Sequence, residues 1–228
     1  MADITEIREM AQKLNLWNVA RGYINLNDEK LSNLDYLQMI LEKELEIRAR
    51  QKLIKMRKTS KLPAKEFDGS NLNEGLKWQL KQLYYLTWIS EGENIIILGK
   101  CGTGKTSLAV QIGEMAINND YKTYYTTIDN FISIVNQKDT NPKAEATFSY
   151  IRECDLIIID DVFYVEPTRA ELQVFYRIIS FLNETRSNIF ITNREISEWL
   201  NVVEDKHLCQ TMIDRITTYC QIIRLTNR

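Results

Sequence analysis

Of the eight glycines in this 228-residue chain, three (Gly99, Gly102 and Gly104) fall within six residues, and none follows Gly113. The cluster reads Gly99-Lys100-Cys101-Gly102-Thr103-Gly104-Lys105-Thr106, which fits the spacing G-x-x-x-x-G-K-[ST]. It follows the apolar run Ile95–Leu98 and leads into Leu108, Ala109, Ile112 and Met115 at helical spacing. A glycine-rich turn between a strand and a helix can fold its successive N–H groups inward, at a helix N-terminus that already attracts anions. The pattern therefore predicts a cradle for nucleotide phosphates from Gly99 to Ser107. Lys105 is expected to reach the β- and γ-phosphates of ATP, and the Thr106 hydroxyl to ligate Mg²⁺. No second loop of this kind follows, so one nucleotide per chain is expected.

The segments around the loop set its context. Short β-like runs recur at Thr123–Thr127, Leu156–Ile159, Asn188–Thr192 and Gln221–Leu225, with helical patterns between them. Strands alternating with helices predict an α/β fold, a mostly parallel sheet covered on both faces. The run Leu156-Ile-Ile-Ile-Asp160-Asp161 is a buried strand closed by two carboxylates. In a phosphate-loop protein a strand-end aspartate holds Mg²⁺, which assigns Asp160 to the metal. Asp161 beside it is placed to orient or deprotonate an attacking water. Asn193 caps the next strand, where it either contacts the γ-phosphate or simply forms a turn. Arg215 lies on a helix before the last strand, and taken alone it reads as a surface charge. Asn136-Gln-Lys-Asp139 has the wrong order for a guanine-specific motif, so ATP is the expected nucleotide.

The formal net charge of −2 conceals a division. Residues 1–65 carry 13 basic and 9 acidic side chains, and the remainder carries 16 against 22. Ile4, Ile7, Ala11 and Leu14, then Leu34, Leu37, Leu41 and Leu45, recur at helical spacing, and Ser32 with Asp35 suggests a capping box. From Arg48 to Lys65 stand eight Lys or Arg and no acid. At about 100° per residue these charges surround the helix instead of lining one face. They are either a solvated connector or a nucleic-acid contact, with Arg48, Arg50, Lys52, Lys55, Arg57 and Lys58 as the candidates. Pro63 is expected to stop that helix. The reading gives a helical domain at 1–65, a linker at 66–75 and the nucleotide domain at 76–228.

Other classes are excluded or disfavoured. A single histidine, His207, rules out sites with two histidine ligands. Cys101, Cys154, Cys209 and Cys220 form no C-x-x-C pair and suit reduced thiols. No run approaches the roughly 20 apolar residues of a spanning helix, and the first residues carry no signal-peptide pattern. A cytoplasmic protein with no membrane partner is expected.

The chain resembles the IstB-like ATPases, transposition helpers within the AAA+ class and relatives of the DnaC helicase loaders. The resemblance rests on Leu14-Asn-Leu-Trp-Asn-Val-Ala20, the segment from Asp35 to Arg48, Leu62-Pro63 and Phe67-Asp68. It continues through the glycine loop, Gly113, Asp160-Asp161, Ile191-Thr-Asn-Arg194, Glu198-Trp199 and Asp214-Arg215. It implies a five-stranded AAA+ core with a small helical N-terminal domain and no evident lid. It implies that Asn193 senses the γ-phosphate and that Arg215 is an arginine finger reaching a neighbouring subunit's ATP. It also implies DNA contacts from the region between Ile128 and Arg152, with Lys138, Lys143 and Arg152 as candidates. Members of this group assemble on DNA with ATP and serve a transposase, or load a replicative helicase. The sequence departs from the family pattern in three places. Asp161 stands where many members have Glu, Thr217-Thr218 replace a pair of histidines, and a Gly-Glu-Ser-Tyr-Arg tail is missing after Leu225. The shorter acid at 161 raises a further possibility, a nucleotide-gated adaptor with little hydrolysis.

Overall fold

A computed structural model describes residues 3–24, 32–70, 72–182 and 186–226, apart from the side chain of Leu34. The expectations touching Leu34's side chain, Asn71 and the last two residues lie outside the described part. The chain divides into two compact units, Met1–Lys55 and Met56–Arg228.

In the first unit, α1 (Ile4–Lys13) is capped by Asp3, whose side chain accepts from the Thr5 N–H. A short α2 (Trp17–Ala20) follows, and α3 (Asn33–Ser60) begins at the expected Ser32–Asp35 cap. The small core here is Ala11, Val19 and Ile24, with Leu16, Ala20, Ile40 and Ile47 packed on it. The leucine periodicity marks the helix but not its buried side, because Leu37, Leu41 and Leu45 are exposed. The buried side of α3 instead carries a carboxylate, Glu44, which is 2% exposed. Glu44 accepts from the Asn18 and Val19 N–H groups at 3.0 and 3.3 Å, satisfying the donors that the start of α2 leaves without partners.

The second unit is built on a parallel sheet. Its strands are β1 (Asn94–Gly99), β2 (Thr123–Thr127), β3 (Leu156–Asp160), β4 (Ser187–Thr192) and β5 (Cys220–Leu225), in the order β2-β3-β4-β1-β5. Ile95–Leu98, Leu156–Ile159 and Ile189–Ile191 are buried almost completely, as strands covered on both faces require. The helices α4 (Glu74–Leu83), α5 (Thr87–Glu91), α6 (Lys105–Asn118), α7 (Ile128–Gln137), α8 (Pro142–Arg152), α9 (Arg169–Leu182) and α10 (Lys206–Thr217) complete the unit with a short 3-10 helix, Ile196–Asn201. One apolar layer joins Ile96, Ile157, Ile159 and Phe190 to α7, α9 and α10. The opposite layer joins Ile95, Ile97, Ile158 and Ile191 to α4, α5 and α6. β4 separates β1 from β3, so the glycine loop and Asp160 sit at the carboxyl ends of two strands with a third between them. Ligands of open α/β sheets bind at such strand ends.

The change of packing falls between Lys55 and Met56, ten residues before the position expected from composition. The physical reason is local. Met56 and Ser60 are buried, and Arg57 pairs with Glu114 of α6 at 3.0 Å. The helix α3 stops at Ser60, where Lys61 takes φ +60°, two residues before Pro63.

Candidate nucleotide site

Gly104 has φ +89° and caps α6, whose first backbone bond is Leu108 N–H to Gly104 O at 2.9 Å. The N–H groups of Lys105, Thr106 and Ser107 precede that bond, so the helix geometry leaves them for an anion. Lys105 Nζ donates to the carbonyls of Gly99 and Lys100 at 2.7 and 2.9 Å, folded along its own loop. Burial pulls the Lys105 ammonium below its usual range, while the charges of Cys101, Asp160 and Asp161 pull it back up.

Asp160 closes β3 and is 5% exposed. Its Oδ2 accepts from Thr106 Oγ1 at 2.9 Å and from the Tyr125 hydroxyl at 2.8 Å, and its Oδ1 accepts from the Asp161 N–H at 2.8 Å. Thr106 and Asp160 thus bring two hard oxygen donors together beside the phosphate loop, a donor set that suits a magnesium ion retaining its waters. Among the described residues no group of three or more His, Cys, Asp or Glu side chains is gathered for a metal. Any divalent ion here would therefore complete its shell with phosphate and water. Tyr125 escaped the sequence reading because a tyrosine on an edge strand has no distinctive spacing. Burial and then its bond to Asp160 drive the phenol far above its usual range, so it remains a donor.

Asp161 turns the chain sharply. It takes φ +60°, and Phe163 takes φ +56°, a conformation that an aromatic side chain seldom adopts. Two bonds to β4 and its sequel hold this bend: Val162 N–H to Ile191 O at 2.9 Å, and Arg194 Nε to Phe163 O at 2.7 Å. The Phe163 ring packs against Trp199 and Phe175, with centroids 4.8 and 5.7 Å away. Arg194 and Trp199 carried the family resemblance, and here they support the loop that presents Asp161. Burial raises the Asp161 carboxyl pKa, and the charges of Asp160 and Asp129 raise it further against Lys105 and Lys65.

These groups converge on a cavity of about 350 Å³. It is lined by the loop residues Cys101, Gly102 and Gly104 to Ser107, together with Asp160, Asp161, Asn193 and Lys65. A neighbouring hollow of about 720 Å³ shares Cys101, Gly102, Gly104 and Ser107 and adds Thr103, Phe67, Leu72, Leu76 and Leu225. Gly99 and Lys100 line a third hollow with Asn193 and Arg194. Arg215 stands apart from all three, on α10, with its guanidinium 5.1 Å over the Tyr176 ring.

The chain matches the model of the IstB-like ATP binding protein family over residues 9–228. It belongs to that family. An IS21-type insertion-sequence ATP-binding protein from Bacteroides fragilis is 28% identical to it, over 96% of this chain and 87% of that protein. An ATP-binding protein of insertion sequence IS5376 from Geobacillus stearothermophilus is 28% identical over 96% and 90% of the two chains. Among solved structures, DnaI aligns with TM-score 0.59 at 16% identity, over 75% of this chain and 94% of that one. The DnaC helicase loader aligns with TM-score 0.59 at 15% identity, over 70% and 93%. At such identities the likeness is one of fold, and that fold is the P-loop AAA+ core. This member of the IstB-like family is an ATP-binding protein of that architecture.

The remaining sequence candidates differ in their surroundings. Arg48 Nε pairs with the buried Glu44 at 2.8 Å, and its Nη2 also donates to the Asn15 carbonyl. Arg57 is occupied by Glu114 and by Asn118, whose Oδ1 accepts at 3.0 Å. Arg50, Lys52, Lys55, Lys58 and Lys143 have exposed side chains, while Lys138 pairs with Asp139 and lies 5.7 Å from the Phe148 ring. Cys154 and Cys209 are buried free thiols, and burial pushes Cys154 up to about 12, outside the range of reactive cysteines. Among the described residues no helix is long and apolar enough to cross a membrane.

Proposed function

We propose that the protein hydrolyses ATP and acts as a DNA-binding helper in the transposition of a mobile element. The observation that carries this reading is the Thr106–Asp160 hydrogen bond, 2.9 Å long, in a cavity that also holds Lys105, Asp161 and Asn193. Thr106 and Asp160 would hold Mg²⁺, which when bound neutralises phosphate charge. Lys105 and the N–H groups of α6 bind the phosphates, Asp161 orients and deprotonates water, and Asn193 contacts the terminal phosphate. The hollow lined by Phe67, Leu72 and Leu76 accepts the base and ribose. Relatives aligned over nearly their whole length are described as insertion-sequence ATP-binding proteins, which favours the transposition role.

Arg215 is 5.1 Å from the Tyr176 ring, and among the described residues no arginine lines this cavity to serve the transition state. In this reading a neighbouring copy supplies it in an oligomer formed on DNA. Such an arginine is worth about 10³–10⁵ in rate. Phosphate release, measured with and without duplex DNA, tests the proposal. Turnover that rises with DNA and disappears in Asp161→Asn supports it, and turnover indifferent to both refutes it. The fold likeness to DnaI and DnaC favours a second reading, the loading of a replicative helicase. Co-purification of a hexameric helicase instead of a transposase would select it. A protein that binds ATP but releases no phosphate would be a nucleotide-gated adaptor.

A further inference from the structure

The segment after α3 is a strap laid along the nucleotide-binding helix. At its start Leu62 packs against α6 at Gly113, where a Cβ would come within 3.0 Å of a Leu62 methyl. At its end the Phe67 ring lies against Gly104, 3.5 Å from where a Cβ would stand. The two glycines are nine residues apart on one helix, about 13 Å along its axis. Five residues of chain from Leu62 to Phe67 reach at most about 17 Å. The strap is anchored at both ends, and its direction opposes that of α6.

Lys65 lies between the two anchors. Its side chain lines the 350 Å³ cavity with Lys105, Thr106, Asp160, Asp161 and Asn193, whereas Glu66, Phe67 and Asp68 line the neighbouring hollow. Lys65 makes no hydrogen bond or ion pair among the described residues, unlike Lys105, which is satisfied by two loop carbonyls. Its charge acts on Asp161, and both line the cavity that Asn193 also lines. An ammonium held there by a strap anchored at both ends, with no hydrogen bond or ion pair of its own among the described residues, is placed for a second anion.

We propose that Lys65 is a second phosphate-binding cation, which contacts the terminal phosphate of a nucleoside triphosphate and so separates triphosphate from diphosphate. The assignment rests on the nucleotide reading of the cavity. Lys65 belongs to the strap and not to the glycine loop, so the presence of the terminal phosphate is felt by the segment that directly continues α3.

The test is binding of fluorescent ATP and ADP analogues to the full-length protein with Mg²⁺, the triphosphate in a non-hydrolysable form. Lys65→Ala is expected to weaken the triphosphate about five- to tenfold and the diphosphate less than about twofold. Lys65→Arg is expected to restore the preference, since the charge is kept. Equal losses for the two nucleotides, or no loss for either, would overturn the proposal. Lys105→Ala serves as the reference for the cavity itself. If it leaves both affinities intact, the nucleotide reading of the cavity fails and the role of Lys65 fails with it. If it abolishes both while Lys65→Ala changes neither, only the role of Lys65 is lost. The side chain is exposed, so Lys65→Ala is expected to melt with the parent protein.

Discussion

The Nε of Arg194 donates to the main-chain carbonyl of Phe163 across 2.7 Å, tying the residue after Asn193 to the bend that follows Asp161. Two left-handed residues, Asp161 and Phe163, make that bend expensive, at roughly 1–3 kcal/mol each. Arg194→Ala should release it. The expected result is a drop in kcat of about tenfold or more, with nucleotide affinity changed less than about twofold, because the phosphate loop is untouched. Arg194→Lys should not rescue turnover, since an ammonium does not reproduce the guanidinium's fixed direction. Steady-state kinetics paired with nucleotide titration separates this from a general loss of fold.

Tyr125→Phe removes one of the two hydroxyls that hold Asp160 Oδ2. The ring stays and Thr106 still donates, so the stability cost should be about 1 kcal/mol. The carboxylate's orientation should suffer more than its charge. The Mg²⁺ concentration for half-maximal ATP-analogue binding should rise about three- to tenfold, while binding without Mg²⁺ stays the same. A change in the Mg²⁺-free affinity would show that Tyr125 acts elsewhere.

The raised carboxyl of Asp161 gives a pH prediction. An acid that must be ionised to take a proton from water loses activity as pH falls through its pKa, and a raised pKa brings that loss to higher pH. The acidic limb of kcat should therefore lie above the range of an ordinary aspartate. Asp161→Asn should remove the limb together with most of the turnover, about 10²-fold or more. A limb in the ordinary range would contradict the assignment of Asp161 as the base.

If Arg215 acts across a subunit boundary, two inactive variants should repair each other. Lys105→Ala damages a chain's own cavity, and Arg215→Ala damages its neighbour's. Mixed in equal amounts, they should recover a substantial fraction of wild-type turnover, because some junctions pair an intact cavity with an intact arginine. No recovery on mixing would place Arg215 in its own chain's site or in structure alone.

Arg48 and Arg50 should behave differently. Arg50→Glu, Lys55→Glu and Lys58→Glu together should lower the slope of log affinity for duplex DNA against log salt by up to about 0.9 for each phosphate no longer neutralised. Arg48→Glu should instead lower the melting temperature of the first unit, because it takes the cation from the buried Glu44 and sets a second carboxylate beside it. Melting curves and salt titrations distinguish the two outcomes.

The strand and loop chemistry was readable in the sequence because it depends on near neighbours. Gly99 to Thr106 and the apolar run before Asp160 each carry their meaning within a few residues, and the five strands lie where alternation and apolar runs put them. Tyr125, Arg194, Trp199 and Lys65 acquire theirs only from partners far along the chain: Asp160, Phe163 and the cavity. No periodicity encodes such meetings. The leucines of α3 mislead for a related reason. Their spacing reports a helix, but a small unit packs Ile40 and Ile47 on its core and buries the carboxylate of Glu44 instead, a choice that the position of α2 explains.

β1 has β4 on one side and β5 on the other, with Asn94 paired to Cys220 and Gly99 to Leu225. The strand that leads into the phosphate loop is thus completed by the last of the five strands to be synthesised. Until it arrives, one edge of β1 is bare and the loop hangs from an unfinished sheet. Closing so long a stretch of chain is also a slow step in folding. Nucleotide-binding competence therefore waits for β5. An unfinished chain that already displays its glycine loop has a sticky strand edge and no secure grip on ATP.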